Sequence, residues 1–464
     1  MHIRWFLGIF SGFLFFSCQK QSNFNGNALL TLSADSVQFD TVFTATGGIT
    51  QKVLVINHNN FSLGISDISL MGGSNSPFVI NIDGSPGPEA TNLQLARNDS
   101  LYIFVNVFVR PGSAPLPFIL QDSIRIRSGG ADQFIQLSVW GQNAHFLKNQ
   151  VISGNVDWPN DLPYVISGGL VIKNNAVLTI QKGTHVYFHA NAPLLVDGSL
   201  QVFGQPADSA RVYFNGDRLD LPYAAYPGSW PGIYFRENSH DNILNYALLE
   251  NGYNSVVAYG PSQNAAPKLV LNQCIIQNSY AAGIYCVQSS VNASNCLISN
   301  CNQNILISLG GVYQFEQCTV ASYSYNLLTH QLPVLSISNA ATDSTLSIAN
   351  DLRAVFSNCI FWGSDGVPDE ALVSKQGNTV FQVHFDHSIL KQENYPANID
   401  SSSLWLNINP LFISTGGGTG SLFDFHLQSG SPALNRGADL GILFDLDGNP
   451  RPVHLPDLGC YERQ

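Results

Sequence analysis

The chain has 464 residues and is 45% hydrophobic but only 11% charged, with a formal net charge of −12. An average globular protein carries roughly 25% charged residues; here glycine, asparagine, serine and aromatic residues take up the difference. The length allows two or three domains. The acidic balance, with no Lys/Arg run, argues against a nucleic-acid partner, which requires clustered cations.

Residues 1–17 read as a processing segment and not as part of the fold. Arg4 supplies a positive charge, and residues 6–16 (FLGIFSGFLFF) form an apolar run too short to span a bilayer. The run ends in Ser17-Cys18. A small residue followed by cysteine at this point resembles the bacterial lipobox, with Phe15 bulkier than the usual leucine. The resemblance implies lipidation of Cys18, which would tie the chain to a membrane, and residues 18–28 then serve as a polar tether. The alternative is an ordinary signal peptide with an incidental cysteine; either way the chain is exported. The residues after Cys18 lack an acidic pair, so an outer-membrane lipoprotein could face the periplasm or the cell surface.

Seven short alternating runs bounded by turn signals occupy residues 29–143, which predicts a β-sandwich. The features include Phe39, Asp40, Val42, Asn57, Ile65 and Ile68. They continue through Pro77-Phe78-Val79-Ile80, Val105, Val107, Val109 and the closing Leu137, Val139 and Gly141. The series resembles Ig-like domains of the spindle- and cilia-associated type, which implies a fold and a spacer or binding role. His58 and His145 are isolated there. Residues 144–167 read as a linker.

A new strand system is expected over 168–408. Its clearest part is a repeat in which Cys274, Cys296 and Cys318 stand 22 residues apart. Ile276, Ile298 and Val320 follow the same step, as do Asn278, Asn300 and Ser322, and Ile284, Leu306 and Leu328. A fixed period of this size means stacked units that cannot bury their apolar faces alone. Leu269/Leu271, Val291/Ala293 and Tyr313/Phe315 alternate as strands do, so each unit reads as one coil of a parallel β-helix. Cys359 joins the cysteines in one inward column, as free thiols packed like small apolar groups. Disulfides are the alternative in an exported chain. Cys286, Cys301 and Cys460 stand outside the column. Upstream, Leu178 to Gly183, Val196 to Leu200, Gly204 and Trp230-Pro231-Gly232-Ile233 resemble the first coils of bacterial right-handed parallel β-helix proteins with the pectate-lyase-like fold. Handedness is implied by that resemblance. The less regular residues 331–353 read as a bulge.

Residues 409–464 contain NPLF (409–412), DFHL (424–427), SPAL (431–434), DLDGNPR (445–451) and DLGCYE (457–462) in that order. The series resembles the choice-of-anchor-Q-like module that caps β-helices in bacterial, Bacteroidetes-like surface lipoproteins. Cys460 stands where that family usually has alanine. The fold class is therefore expected to be all-β: an N-terminal Ig-like β-sandwich, then a right-handed parallel β-helix with a C-terminal cap.

Three functions compete. A polysaccharide lyase or glycoside hydrolase would lay an extended glycan in a groove of the helix. It needs paired carboxylates, or a base with a cation. The best cluster is Arg236, Glu237, His240, Asp241 and Glu250, against a solvated corner loop as the plainer reading; Asp365, Asp369 and Glu370 form a second acidic turn. A binding protein without catalysis would use aromatic platforms for a polysaccharide or a surface protein. Tyr223, Tyr226 and Trp230 share one loop, and Tyr280, Tyr323 and Tyr325 fall at coil corners. A purely structural envelope element fits the order of tether, spacer, rod and cap. Metals have weak support: His185 with His189 and His384 with His387 lack completing ligands. Asp445 and Asp447 resemble part of a Ca²⁺ loop, with turn hydrogen bonding as the plainer role. The sequence leaves the oligomeric state open. Function, if carried at all, is expected in the departures from period.

If Cys18 is the lipidated residue, metabolic labelling with an alkyne fatty acid marks the wild-type protein and not Cys18→Ala. Equal labelling of both would remove the anchor.

Overall fold

The computed structural model describes residues 30–44, 48–110, 118–343, 346–364, 366–416, 423–452 and 455–464. The leader, Cys18 and the tether lie outside these residues. The described residues are 55% strand and 2% helix. It divides into two compact units. The first takes the described residues up to Val37 with Thr50–Asn106 and Asp122–Leu137, and the second takes Gln38–Ile49, Val107–Gln121 and Ser138–Gln464.

The N-terminal strands belong to two five-stranded sheets. Gln51–Asn57 pairs antiparallel with Ser100–Val107, and Leu63–Leu70 pairs antiparallel with Glu89–Leu95 and Phe118–Ser128. Burial alternates along them, so Val53, Val55, Ile103 and Val105 are shut away from water while their neighbours are not. Asn57 is fully buried. Its side-chain amide donates to the carbonyls of Phe61, Leu95 and Ala96, which staples the end of its strand to two loops.

In the second unit 26 strands join into one parallel sheet among the described residues. Strands pair mainly with the one three places on. Leu194–Val196 pairs with Ile233–Phe235, Ser199–Phe203 with Asn242–Asn245, and Val212–Gly216 with Ala247–Glu250. A chain that meets itself every third strand is wound in coils, which is consistent with a parallel β-helix. Three strand stacks result. Two long strands, Ala282–Ser294 and Gln303–Glu316, turn a corner without a break and serve two stacks each.

The 22-residue step survives as strand register. Ile276 lies beside Ile298, and Ile298 beside Val320. The third expected column does not hold. Ile284 faces Ile305 and not Leu306, and Ile305 faces Leu335 and not Leu328. The step is 21 residues along the first half of these strands and 22 after an irregularity between Val287 and Ser289. Gly310, with φ +79°, lies in the bulged strand.

Cys274, Cys296, Cys318 and Cys359 are free and fully buried in one inward column. Their thiols donate down the stack to carbonyls of the preceding coil: Cys274 to Leu244, Cys296 to Leu271, Cys318 to Ala293 and Cys359 to Phe315. Burial pushes the Cys296 and Cys359 thiols up, so they stay neutral. The residue before each cysteine turns the corner in the left-handed region: Gln273, Asn295, Gln317 and Asn358 have φ between 51° and 56°. Gly198 makes a tighter corner, where a Cβ would meet Ala176 O at 2.2 Å.

Three expectations change. The stretch read as a linker is already coil: His145–Ile152 and Asn155–Trp158 pair in parallel with Tyr164–Ile172 and Val177–Gln181. Within 331–353, Leu335–Ser338 stays in the stack, and the departure is a short antiparallel pair, Ala340–Asp343 with Leu346–Ala349. The C-terminal residues, expected over the end of the stack, reach far back along one flank. Phe412, Phe425, Leu427, Leu446, Leu458 and Cys460 form a second core with the outward faces of Leu297, Ala321, Ile360 and Ile389. Arg211 donates to Leu446 O at 2.8 Å, and Asn358 and Ala438 exchange two hydrogen bonds.

Cys296→Asp puts an unpaired charge into the stack and should cost more than about 4 kcal/mol, while Cys296→Ala should cost about 1 kcal/mol. Thermal melts of both variants check the difference; equal melting temperatures would place the column outside the core.

Candidate functional site

The predicted catalytic cluster does not assemble as one site. Arg236 and Glu237 line a cavity of ≈ 560 Å³ with Asp197, Tyr234 and Tyr259. Arg236 Nη2 is paired with Asp197 Oδ2. His240 and Asp241 bind each other at 2.9 Å on the exposed turn, and hydrogen bonds from Asn264 and His240 hold Asp241 below the usual carboxylate range. Glu250 belongs to the strand Ala247–Glu250 of another stack. Burial raises its pKa against a hydrogen bond from Gln277 at 2.5 Å.

Lys268 fixes the shape of this turn, and the sequence reading passed over it. Its side chain is fully buried, and Nζ donates to the carbonyls of Arg236, Glu237 and Ser239 at 2.8–3.0 Å. The signal was present: a lone lysine opening the apolar strand Leu269–Asn272 must find buried acceptors.

The aromatic prediction divides. Trp230 is core, not platform: it is fully buried, stacks on Phe188 at 4.6 Å and donates Nε1–H to Glu250 O at 2.7 Å. Tyr223 and Tyr226 stay exposed and meet edge to face at 5.4 Å. Asn251 and Asn278, both at left-handed corners, reach out from the coils to hold this loop. Asn251 Nδ2 donates to Ala224 O and Asn278 Nδ2 to Ala225 O. A Cβ on Gly228 would stand 3.1 Å from Tyr280 Cβ, so the loop end lies against Tyr280. Tyr280 pairs with Tyr253 at 5.4 Å, and both are about half exposed (52% and 47%). One corner therefore presents four tyrosine rings. Arg218 lies over Tyr223 at 4.2 Å and is neutralised by a two-pronged bond to Asp220. Tyr323 and Tyr325 instead pack against Phe425 and Phe423 under the C-terminal segment.

A second concave surface was not anticipated. On the stack containing Gly311–Glu316, Leu352–Ser357 and Phe381–Asp386, outward side chains form the floor of a groove of ≈ 680 Å³. Asn292, Gln314, Val355 and His384 make one register column, and Val312, Arg353 and Gln382 the other. An adjoining hollow of ≈ 650 Å³ shares Asn292 and Val312. Asn292 to Gln314 is the 22-residue step, but the next rungs are set by longer loops that break the period.

The histidine pairs do not converge. His185 stacks on Tyr213 at 4.5 Å, while His189 binds Asp217 at 2.8 Å. His384 meets Asp400 at 3.2 Å and His387 meets Asp386 at 2.9 Å. Among the described residues no group of three or more His, Cys, Asp or Glu is arranged to hold a metal ion. In the second acidic turn Asp365 lies outside the described residues. Asp369 accepts from the backbone of Glu393 and Asn394, but Glu370 is fully buried and binds His330 Nε2 at 3.0 Å. Gly363 leaves the room for that pair, since a Cβ there would stand 2.1 Å from Glu370 Oε1.

Asp445 and Asp447, the Ca²⁺ candidates, are both hydrogen-bonded within the C-terminal segment. Asp445 is buried and accepts the N–H groups of Asp447, Asn449 and Glu462. Such a carboxylate is already satisfied by a turn. Arg451 extends the network to Glu462 Oε2, Gly459 O and Asn295 Oδ1, each at 2.9 Å. Burial raises Glu462 to about 7 against the pull of Arg451. Asp447 binds His426 Nε2 at 2.8 Å while Asp424 takes Nδ1 at 2.5 Å. Burial lowers His426, but the two carboxylates outweigh it and hold the imidazole at about 9.

No family model matches the chain, and no curated protein does. Solved structures match parts of it. A family 123 glycoside hydrolase from Clostridium perfringens is 10% identical over 25% of this chain and 26% of its own, with a TM-score of 0.18. The E. coli chaperone DraB is 14% identical over 25% of this chain and 56% of its own (TM-score 0.17). A PapD-like domain of human CEP192 is 11% identical over 25% and 84% (TM-score 0.17). The chain spans about a quarter of the hydrolase and about half of the chaperone.

His426 has a folded pKa raised above its unfolded value of about 6.5. Its stabilising contribution is complete below pH 6.5 and lost as pH rises through about 9. Hydrogen exchange of residues 423–447 should therefore speed up over that window beyond its intrinsic pH dependence. The excess should disappear in His426→Asn.

Proposed function

We propose that the chain is an exported, lipid-anchored cell-envelope protein that holds a glycan-binding corner on a rigid β-helical rod. The leader pattern ending in Cys18 supports export and anchoring. The two five-stranded sheets with alternating burial support an Ig-like spacer. The coil pairing and upstream motifs support a right-handed parallel β-helix of the pectate-lyase-like kind. The buried network of Asp445, Arg451, Asp457 and Glu462 supports the choice-of-anchor-Q-like reading of the C-terminal module, here also lying along the rod.

The observation that carries glycan binding is the set of four exposed tyrosines, Tyr223, Tyr226, Tyr253 and Tyr280. Such rings present apolar faces to the C–H face of a pyranose, while phenol and amide groups serve its hydroxyls. The loop is fixed by Asn251 and Asn278 before any ligand arrives, which lowers the ordering cost of binding. The Arg218–Asp220 pair leaves the patch without an unpaired charge from that pair, which suits a neutral sugar.

A second reading, catalysis on an extended glycan, is favoured by the groove over Asn292, Gln314, Arg353, Gln382 and His384. Product release from a panel of neutral and acidic polysaccharides tests it.

On a glycan array, Tyr226→Ala and Tyr280→Ala should each weaken binding tenfold or more, with unchanged melting. Trp230→Ala should instead unfold the rod. Wild-type strength binding by both tyrosine variants would remove the corner as the site.

A further inference from the structure

The end of the groove carries a connected row of polar side chains that sugar stacking at the tyrosine corner does not use. His384 and Asp400 are register partners on adjacent strands, and His384 Nδ1 stands 3.2 Å from Asp400 Oδ2. On its other side His384 Nε2 stands 3.4 Å from Ser402 Oγ. Ser402 lies at the bend that follows the two-residue strand Asp400–Ser401, where its backbone N–H donates to Phe385 O at 3.2 Å. Ser402 Oγ also donates to Asp386 Oδ1, which is itself paired with His387 Nδ1 at 2.9 Å. His384 and Asp400 line the groove with Arg353 and Lys375.

We propose that Ser402, with His384 and Asp400, forms a carboxylic-ester hydrolase site acting on acyl esters of a polymer lying in the groove. A hydroxyl beside an imidazole that is oriented by a carboxylate is the arrangement that activates serine on unrelated folds. The contacts are longer than in a working relay, as they commonly are before substrate binds. Asp386 holds the serine oxygen in place and takes its hydrogen at rest; rotation about Cβ–Oγ redirects that hydrogen to His384. Ser402 Oγ then attacks the ester carbonyl carbon and its proton passes to His384 Nε2. The carbonyl–alkoxy bond breaks, and the leaving alcohol takes the proton. Water attacks the acyl-serine, gives a proton to Nε2, and the carboxylic acid leaves as Oγ recovers its hydrogen. The sum is ester plus water to acid plus alcohol, with no other reactant. Asp400 is a positioning residue: it keeps the imidazole N–H on Nδ1 and Nε2 free to accept. Arg353 and Lys375 are the cations in the groove available to the developing oxyanion.

The test uses the full chain with p-nitrophenyl acetate as substrate and a fluorophosphonate as covalent probe, read by intact mass and peptide mapping. The wild type should hydrolyse the ester and gain one adduct, on the peptide containing Ser402. Ser402→Ala and His384→Ala should lose hydrolysis by about a thousandfold and lose the adduct. Ser402 is exposed, so its variant should melt as the wild type does. Asp400→Asn should lower the rate and displace its pH profile, which a merely structural residue would not do. The proposal is overturned if the wild type neither hydrolyses nor labels, if the adduct maps elsewhere, or if Ser402→Ala keeps its rate. The tyrosine-corner variants should leave all of these readouts unchanged, so failure here and failure of sugar binding there are separable.

Discussion

Every coil of the second unit depends on the strand edge offered by the coil before it. A parallel strand cannot satisfy its N–H and C=O groups alone, so each turn of chain must return in register with the last. The corner residues make this possible. Gln273, Asn295, Gln317 and Asn358 all turn in the left-handed region, and each is followed by a cysteine small enough to stack inward. The thiol then spends its hydrogen on a carbonyl of the neighbouring coil. Backbone geometry, side-chain volume and hydrogen bonding therefore agree at one recurring dipeptide, which is why the rod is regular there.

Regularity leaves little for recognition, and the surfaces with chemical potential lie where the period lapses. The tyrosine corner is built by an inserted loop that two corner asparagines reach out to hold. The groove is regular in its floor but gains its walls and its Arg353, Lys375 and His384 from coils with longer connections. Lys268 shows the cost of such departures: a turn of irregular backbone leaves three carbonyls pointing inward, and a buried ammonium collects them.

Much of this was legible in the chain because alternation and a fixed step are local signals. The inward cysteines and the Ile276–Ile298–Val320 column followed from spacing alone. The column through Ile284 did not, because a bulge near Ser289 shifts register without disturbing the cysteine count. The coil strands at 145–158 read as a linker because an end coil has a neighbour on one side only, and its exposed residues mask the alternation: Phe146, Val151 and Val156 all face water. Site residues were harder still. Trp230 looked like a platform because aromatic character does not encode direction. Glu370 looked solvated because its partner, His330, lies forty residues away in sequence. At Asp445 the sequence offers a turn and a cation loop alike, because a carboxylate that collects backbone N–H groups has the same local sequence as one that collects a cation.

The C-terminal segment on the flank alters how the rod comes apart. Stacked repeats touch only their neighbours, so such arrays ordinarily fray from either end, one unit at a time. Arg211 and Leu446 are 235 residues apart in the chain and share a hydrogen bond. Asn295 and Asn358, three and five coils further on, are tied to the same segment. Residues 409–464 thus act as a splint that spans several coils at once, converting a one-dimensional array into a body whose middle coils open together. Because residues 409–464 follow the coils in the chain, that cooperativity arrives only once they have been made, and any product cut short before residue 409 would be left with the fraying behaviour of a bare stack.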